Sequence, residues 1–257
     1  MVIAVAGKGG TGKTTLAALI VRALKEDKAG SVLAIDADPN SNLGELLGVK
    51  NTSTIVGIVD EISKNPGQVP AGVTKDRYID LKMQESLNEE SGFDLLTMGR
   101  PEGPGCYCFV NNLLRDLIKR LMDSYDYVVI DNEAGMEHIS RRVVRKFDRL
   151  FMVSDSSAIG VRSTARVARL AEELDIKIGE KFLILNKSRK ENGALKKEIG
   201  KTGLKLKATL ELNDEIEDSA VGNKSIFELN SDNSVFKQAK VLVATHLHAE
   251  NATGGSL

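Results

Sequence analysis

Short apolar runs alternate with stretches of helical periodicity along most of the chain. Seven runs have strand length: residues 2–6, 31–36, 93–98, 127–131, 149–154, 182–186 and 206–210. Several are uninterrupted, such as Val128-Val129-Ile130, as in strands covered on both faces. Between them the period changes to that of a helix. Over residues 109–124, Leu113, Leu117 and Leu121 form one stripe while Arg115, Asp116, Lys119 and Arg120 face water. This alternation predicts an α/β fold in which a mostly parallel sheet carries helices on both faces. Residues 64–90 break the rhythm with Pro66, Gly67, Pro70, Gly72 and many charges, and read as an irregular insertion or mobile surface loop. With no internal repeat and no dividing linker, one domain over residues 1–257 is expected, with a frayed tail at about 251–257.

Composition narrows the class. A chain of 257 residues, 42% apolar and 28% charged, can bury a full core. Its net charge of -1 argues against binding nucleic acid by bulk attraction, and no apolar run spans a bilayer. The basic runs at 141–146 and 187–201 read as solvated helix faces. Residues 1–6 lead straight into a glycine loop, without the charged lead-in and cleavage site of a secretory signal. A cytoplasmic protein is expected, with neither nucleic acid nor membrane as partner. Two cysteines exclude a disulfide scaffold.

The strongest chemical signal is Gly7-Lys8-Gly9-Gly10-Thr11-Gly12-Lys13-Thr14, a G-x-x-x-x-G-K-[ST] loop between a strand and a helix. Gly9, Gly10, Thr11, Gly12 and Thr15 belong to a turn whose backbone N–H groups converge on phosphate oxygens at a helix amino terminus. Lys13 is placed for the β- and γ-phosphates of ATP or ADP, and the Thr14 hydroxyl for Mg²⁺. Asp36 and Asp38 lie at the carboxyl end of the second strand, where open α/β sheets bind ligands; either could instead cap a helix opening near Asn42. Asp131 ends an apolar strand and reads as the Mg²⁺-side aspartate, with Gly135 placed to sense the γ-phosphate.

Cys106-Tyr107-Cys108 follows Gly103-Pro104-Gly105. In an extended segment residues i and i+2 point the same way, so both sulfurs can reach one ion. Thiolates suit Zn²⁺, Ni²⁺, Cu⁺ or an iron–sulfur cluster, and a symmetric dimer would bring four sulfurs together. His246 and His248 fall in a helical pattern where i and i+2 do not share a face, so packing or exposure is expected of them.

With Lys8 ahead of the paired glycines, the loop resembles the deviant phosphate loop of the MinD/ParA, nitrogenase iron protein and Mrp superfamily. That resemblance implies a homodimer in which Lys8 reaches the partner subunit's nucleotide. It also implies that Asp38 orients the attacking water, that Asp36 assists around Mg²⁺, and that Asn186, ending the strand Leu183-Ile184-Leu185, contacts the adenine. The loop, Asp36-Ala37-Asp38-Pro39, the Cys-x-Cys pair and residues 131–138 together are similar to the CooC family, ATPases that mature nickel enzymes. The likeness implies that Cys106 and Cys108 bind nickel (zinc being able to substitute) at the dimer interface. The client would be carbon monoxide dehydrogenase or acetyl-CoA synthase. Two rival classes are an iron–sulfur carrier or reductase of the Mrp or nitrogenase iron protein kind, and a MinD/ParA-like positioning ATPase.

Overall fold

The computed structural model describes residues 1–50, 53–100, 108–134, 144, 146–174, 176–188, 193–222 and 224–250, apart from the side chains of 66, 108–113 and 245–250. Its strands are β1 (Val2–Gly7), β2 (Val32–Ala37), β3 (Asn88–Glu90), β4 (Phe93–Thr97), β5 (Tyr127–Asn132), β6 (Lys146–Asp155), β7 (Lys177–Ser188) and β8 (Lys205–Glu211). They form one sheet in the order β3-β4-β2-β5-β1-β6-β7-β8, antiparallel only at the β3 edge. The described helices are α1 (Lys13–Glu26), α2 (Asn42–Leu46), α3 (Ile55–Lys64), α4 (Lys75–Glu85), α5 (Cys108–Asp123), α6 (Ala158–Glu173), α7 (Gly193–Thr202), α8 (Asp214–Val221) and α9 (Ser234–Glu250).

Strand pleating sorts the core into two layers, because successive side chains leave opposite faces. Ile3, Val5, Val32, Ala34 and Val129 pack under α1, α2 and α9, whose Leu16, Leu19, Leu43, Phe236 and Leu242 are buried there. Ala4, Ala6, Leu33, Ile35, Val128 and Ile130 face the other way, onto Ile55, Val59, Met83, Leu117, Ile118 and Ala168. The central strands are apolar on both sides, as a sheet buried by helices on each face requires.

All seven expected strands form, and the helix expected at 109–124 spans Cys108–Asp123. Leu117 and Ile118 are buried in it, while Asp116, Lys119 and Arg120 are exposed. The reading of 64–90 as irregular is corrected. This stretch holds α4, whose amino terminus is capped by the Thr74 hydroxyl accepting from the Arg77 N–H, and which buries Ile79 and Met83. Pro70 and Gly72 lie outside that helix, so they bound it rather than break it. The expected tail at 251–257 lies outside the described residues. No described helix is long and apolar enough to cross a membrane.

Candidate nucleotide site

The chain moves outward from β1 to β2 and β4, returns to place β5 between β2 and β1, and then puts β6 on the far side of β1. The strand order therefore reverses around β1, and a crevice opens at the carboxyl ends of the strands there. The glycine loop fills that position. Gly10 and Gly12 have φ of 78° and 86°, left-handed values that glycine adopts without strain. At Gly12 a Cβ would lie 2.3 Å from Asn186 Nδ2, so glycine is required by space as well as by conformation. The turn is further braced by the Thr11 hydroxyl, which donates to the Lys8 carbonyl at 2.8 Å.

A cleft of about 520 Å³ lies over this loop, lined by Gly9, Gly10, Gly12, Lys13, Thr14 and Thr15 and by Asp38, Asn40, Glu133 and Lys187 across from them. Lys13 is only 6% exposed at the root of α1, whereas Lys8 is exposed on the outer rim. The motif thus splits its two cations, one sunk into the cleft and one directed to solvent.

On the inner wall Asp36 and Asp131 are register partners on β2 and β5, and both are fully buried. Their wiring differs. Asp36 Oδ2 accepts from the Leu43 N–H at 2.8 Å and Oδ1 from the Asp38 N–H at 3.2 Å, so it ties the strand end to the start of α2. Burial raises its carboxyl to about 6, against the pull of those amides. Among the described residues neither oxygen of Asp131 accepts a well-formed hydrogen bond. Burial pushes it up to about 7; the neighbouring Thr14 hydroxyl and Lys13 ammonium oppose the rise, and the Asp36 and Asp38 charges add to it. An unpartnered buried carboxylate beside a hydroxyl and a second carboxylate is a donor set suited to a hard cation such as Mg²⁺.

Asp38 is half-buried in the cleft wall, and its Oδ1 accepts from the Asn40 N–H at 2.9 Å and the Asn40 Nδ2 at 2.8 Å. Asn186 sits beside the loop, but its side chain is committed locally. Nδ2 donates to the Thr11 carbonyl at 2.9 Å, and Oδ1 accepts from the Lys187 N–H at 2.9 Å. It therefore braces the phosphate loop. Gly135 and Cys106 lie outside the described residues, as does the side chain of Cys108 at the start of α5.

Sequence reasoning missed Lys187, whose φ is 54° and which lines both this cleft and the groove beside Leu212 and Asn213. A lysine directly after a strand-ending asparagine was the available signal. It also missed Asn132, buried with its Nδ2 donating to the Val5 carbonyl at 3.0 Å, which pins β5 to β1 behind the loop.

A glycine loop between β1 and α1, with paired carboxylates at the ends of adjacent parallel strands, defines a P-loop nucleotide hydrolase. The family model for the CobQ/CobB/MinD/ParA nucleotide binding domain matches residues 2–226, and the chain belongs to that family of ATPases. An uncharacterized ATP-binding protein of Methanocaldococcus jannaschii is 42% identical over 243 residues, 93% of this chain and 96% of that one. The carbon monoxide dehydrogenase accessory protein CooC of Rhodospirillum rubrum is 32% identical over 188 residues, 69% of this chain and 71% of CooC. Among solved structures, a ParA family ATPase from Chlorobium tepidum superposes with a TM-score of 0.70 at 22% identity, covering 96% of this chain and 98% of the other.

Proposed function

We propose that this ATPase is a nickel metallochaperone of the CooC kind, working as a homodimer that holds its cargo ion between subunits. The observation that carries the reading is Cys106-Tyr107-Cys108, a soft donor pair in a chain similar to CooC. One chain supplies two sulfurs, so a four-sulfur site needs a second copy. The client is a nickel enzyme, carbon monoxide dehydrogenase or acetyl-CoA synthase.

The Gly9–Gly12 backbone receives the phosphates at the positive end of α1, and Lys13 neutralises the β- and γ-oxygens. Thr14 and Asp131, with Asp36 behind them, would hold Mg²⁺, which when bound neutralises phosphate charge. Asp38 accepts a hydrogen bond from a water in line with the γ-phosphorus. As the water oxygen bonds to phosphorus, the bond to the β-phosphate bridging oxygen breaks, the water's proton passes to the phosphate oxygens, and ADP and inorganic phosphate leave. Lys8, exposed on the rim, supplies the second cation to the partner subunit's nucleotide. Loss of the γ-phosphate changes how the subunits fit, and a metal held in their seam is then released.

The test is the mass of the particle by size exclusion with light scattering, with and without Ni²⁺ and nucleotide, coupled to metal analysis. A nickel-loaded dimer that is lost in the Cys106→Ser/Cys108→Ser double variant, with ATP binding retained, is the expected result. Nickel affinity that survives the double substitution would remove the metal function. A visible charge-transfer spectrum of iron and sulfide after anaerobic reconstitution would move the chain to the iron–sulfur carriers. Binding to liposomes or DNA at physiological salt would place it with the positioning ATPases.

A further inference from the structure

Away from the nucleotide cleft, α6 and α7 enclose a groove of about 410 Å³ lined by Arg162, Arg166, Arg169, Lys201 and Glu198, with Ala165 and Thr202. The three arginines follow i, i+4, i+7 spacing and so lie on one face of α6. Glu198 is paired twice, with Arg162 at 3.0 Å and Lys201 at 2.6 Å, and this ties α7 to α6. Arg166 and Arg169 are exposed and have no ion pair or hydrogen bond among the described residues. Four cations against one carboxylate make this a concentrated positive groove on a chain whose net charge is -1. One turn before Arg162 stands Ile159, 62% exposed and among the few large apolar side chains left in solvent.

We infer that this groove is a docking surface for an acidic segment of a partner protein that also carries an apolar anchor residue. Two guanidinium forks without a partner among the described residues offer bidentate sites for carboxylates, and Ile159 offers apolar contact at the end of the same row. A nucleic acid fits less well. Among the described residues the groove holds no aromatic side chain on which a base could stack. The position suits communication with the nucleotide. α6 is capped by Ser157, two residues after the end of β6, which pairs with β1 up to Gly7 at the phosphate loop. The inference goes beyond the metal function and does not depend on it.

The test measures binding of a labelled poly-glutamate peptide with one central leucine by fluorescence anisotropy at low salt, using the full chain. The Arg166→Glu/Arg169→Glu variant is expected to weaken binding at least about tenfold, and affinity in the wild type to fall as salt rises. Ile159→Ala is expected to weaken binding about threefold or more while keeping the same salt dependence. ATP hydrolysis should stay at the wild-type rate in both variants, which also reports correct folding. Because reversal could perturb α6, Arg166→Ala/Arg169→Ala serves as the second variant and should show the same ranking. Unchanged peptide affinity in both double variants would overturn the inference. So would tighter binding of oligothymidylate, or of inorganic pyrophosphate, at the same two arginines, since the groove would then be a nucleic-acid or small-anion site.

Discussion

Asp36 and Asp131 stand side by side on adjacent strands, share a register position and are equally buried, yet they do different work. Asp36 is occupied by backbone amides of its own segment and fixes the turn from β2 into α2. Among the described residues Asp131 accepts no well-formed hydrogen bond, the Thr14 hydroxyl being its nearby donor, and it keeps a destabilising group in the cleft wall. A fold does not hold a buried carboxylate without hydrogen bonds at no cost, so the pair separates a residue that builds the turn from a candidate for ligand binding. The two lysines of the loop divide in the same way, with Lys13 sunk at the cleft root and Lys8 left on the rim.

That division can be broken experimentally. The largest effect is expected from Lys13→Ala, which should abolish ATP turnover; normal hydrolysis would mean that the loop is misassigned. Asp131→Asn should lower Mg²⁺-dependent turnover by about 10²-fold or more, and in the nucleotide-free protein at pH 8 it should raise the melting temperature by removing the orphan charge. A fall in melting temperature there would show that Asp131 has a structural partner after all. Asp36→Asn should act in the opposite sense on stability, costing about 1–3 kcal/mol by chemical denaturation, because an amide NH₂ group would face a backbone donor. Equal stability effects for the two substitutions would erase the distinction.

The smallest expected effect is that of pH. Both carboxyls are raised by burial, Asp36 to about 6 and Asp131 to about 7, above the ordinary aspartate value of 3.8. The folded state therefore binds more protons than the unfolded one in this range. The stability these groups contribute is present in full below the unfolded value and is lost as pH rises through about 6 to 7. Melting curves of nucleotide-free protein should show this loss between pH 5 and pH 8, and Asp131→Asn should flatten it. A wild-type profile matched by the variant at every pH would exclude Asp131 as the source.

Much of this architecture was legible because parallel central strands are continuous apolar runs. Val128-Val129-Ile130 reads as a strand in isolation, and so does 182–186. The edge strand β3 escaped notice because Asn88-Glu89-Glu90 has no apolar pattern; its pairing with β4 makes it a strand. Helix α4 was hidden for a related reason. Ile79 and Met83 supply its buried contacts within a charged stretch, so its periodicity is faint. At the site, the loop and its lysines could be found by spacing alone, since phosphate chemistry requires consecutive residues. Asn186 could be located but not understood, because its grip on the Thr11 carbonyl joins positions far apart in the chain.

The amino-acid order by itself determined the central strands with the clearest helices between them, the phosphate loop and the donor types available to a metal, all of which depend on neighbours within a few residues. Tertiary structure decided which strands lie together, and hence that Asp36 meets Asp131, that Asn132 pins β5 to β1, and that Arg166 and Arg169 open onto a groove with α7. Burial and the partners it grants or withholds are properties of packed surfaces. They turn two aspartates of one chemistry into one that is hydrogen-bonded to its own segment and one that is not.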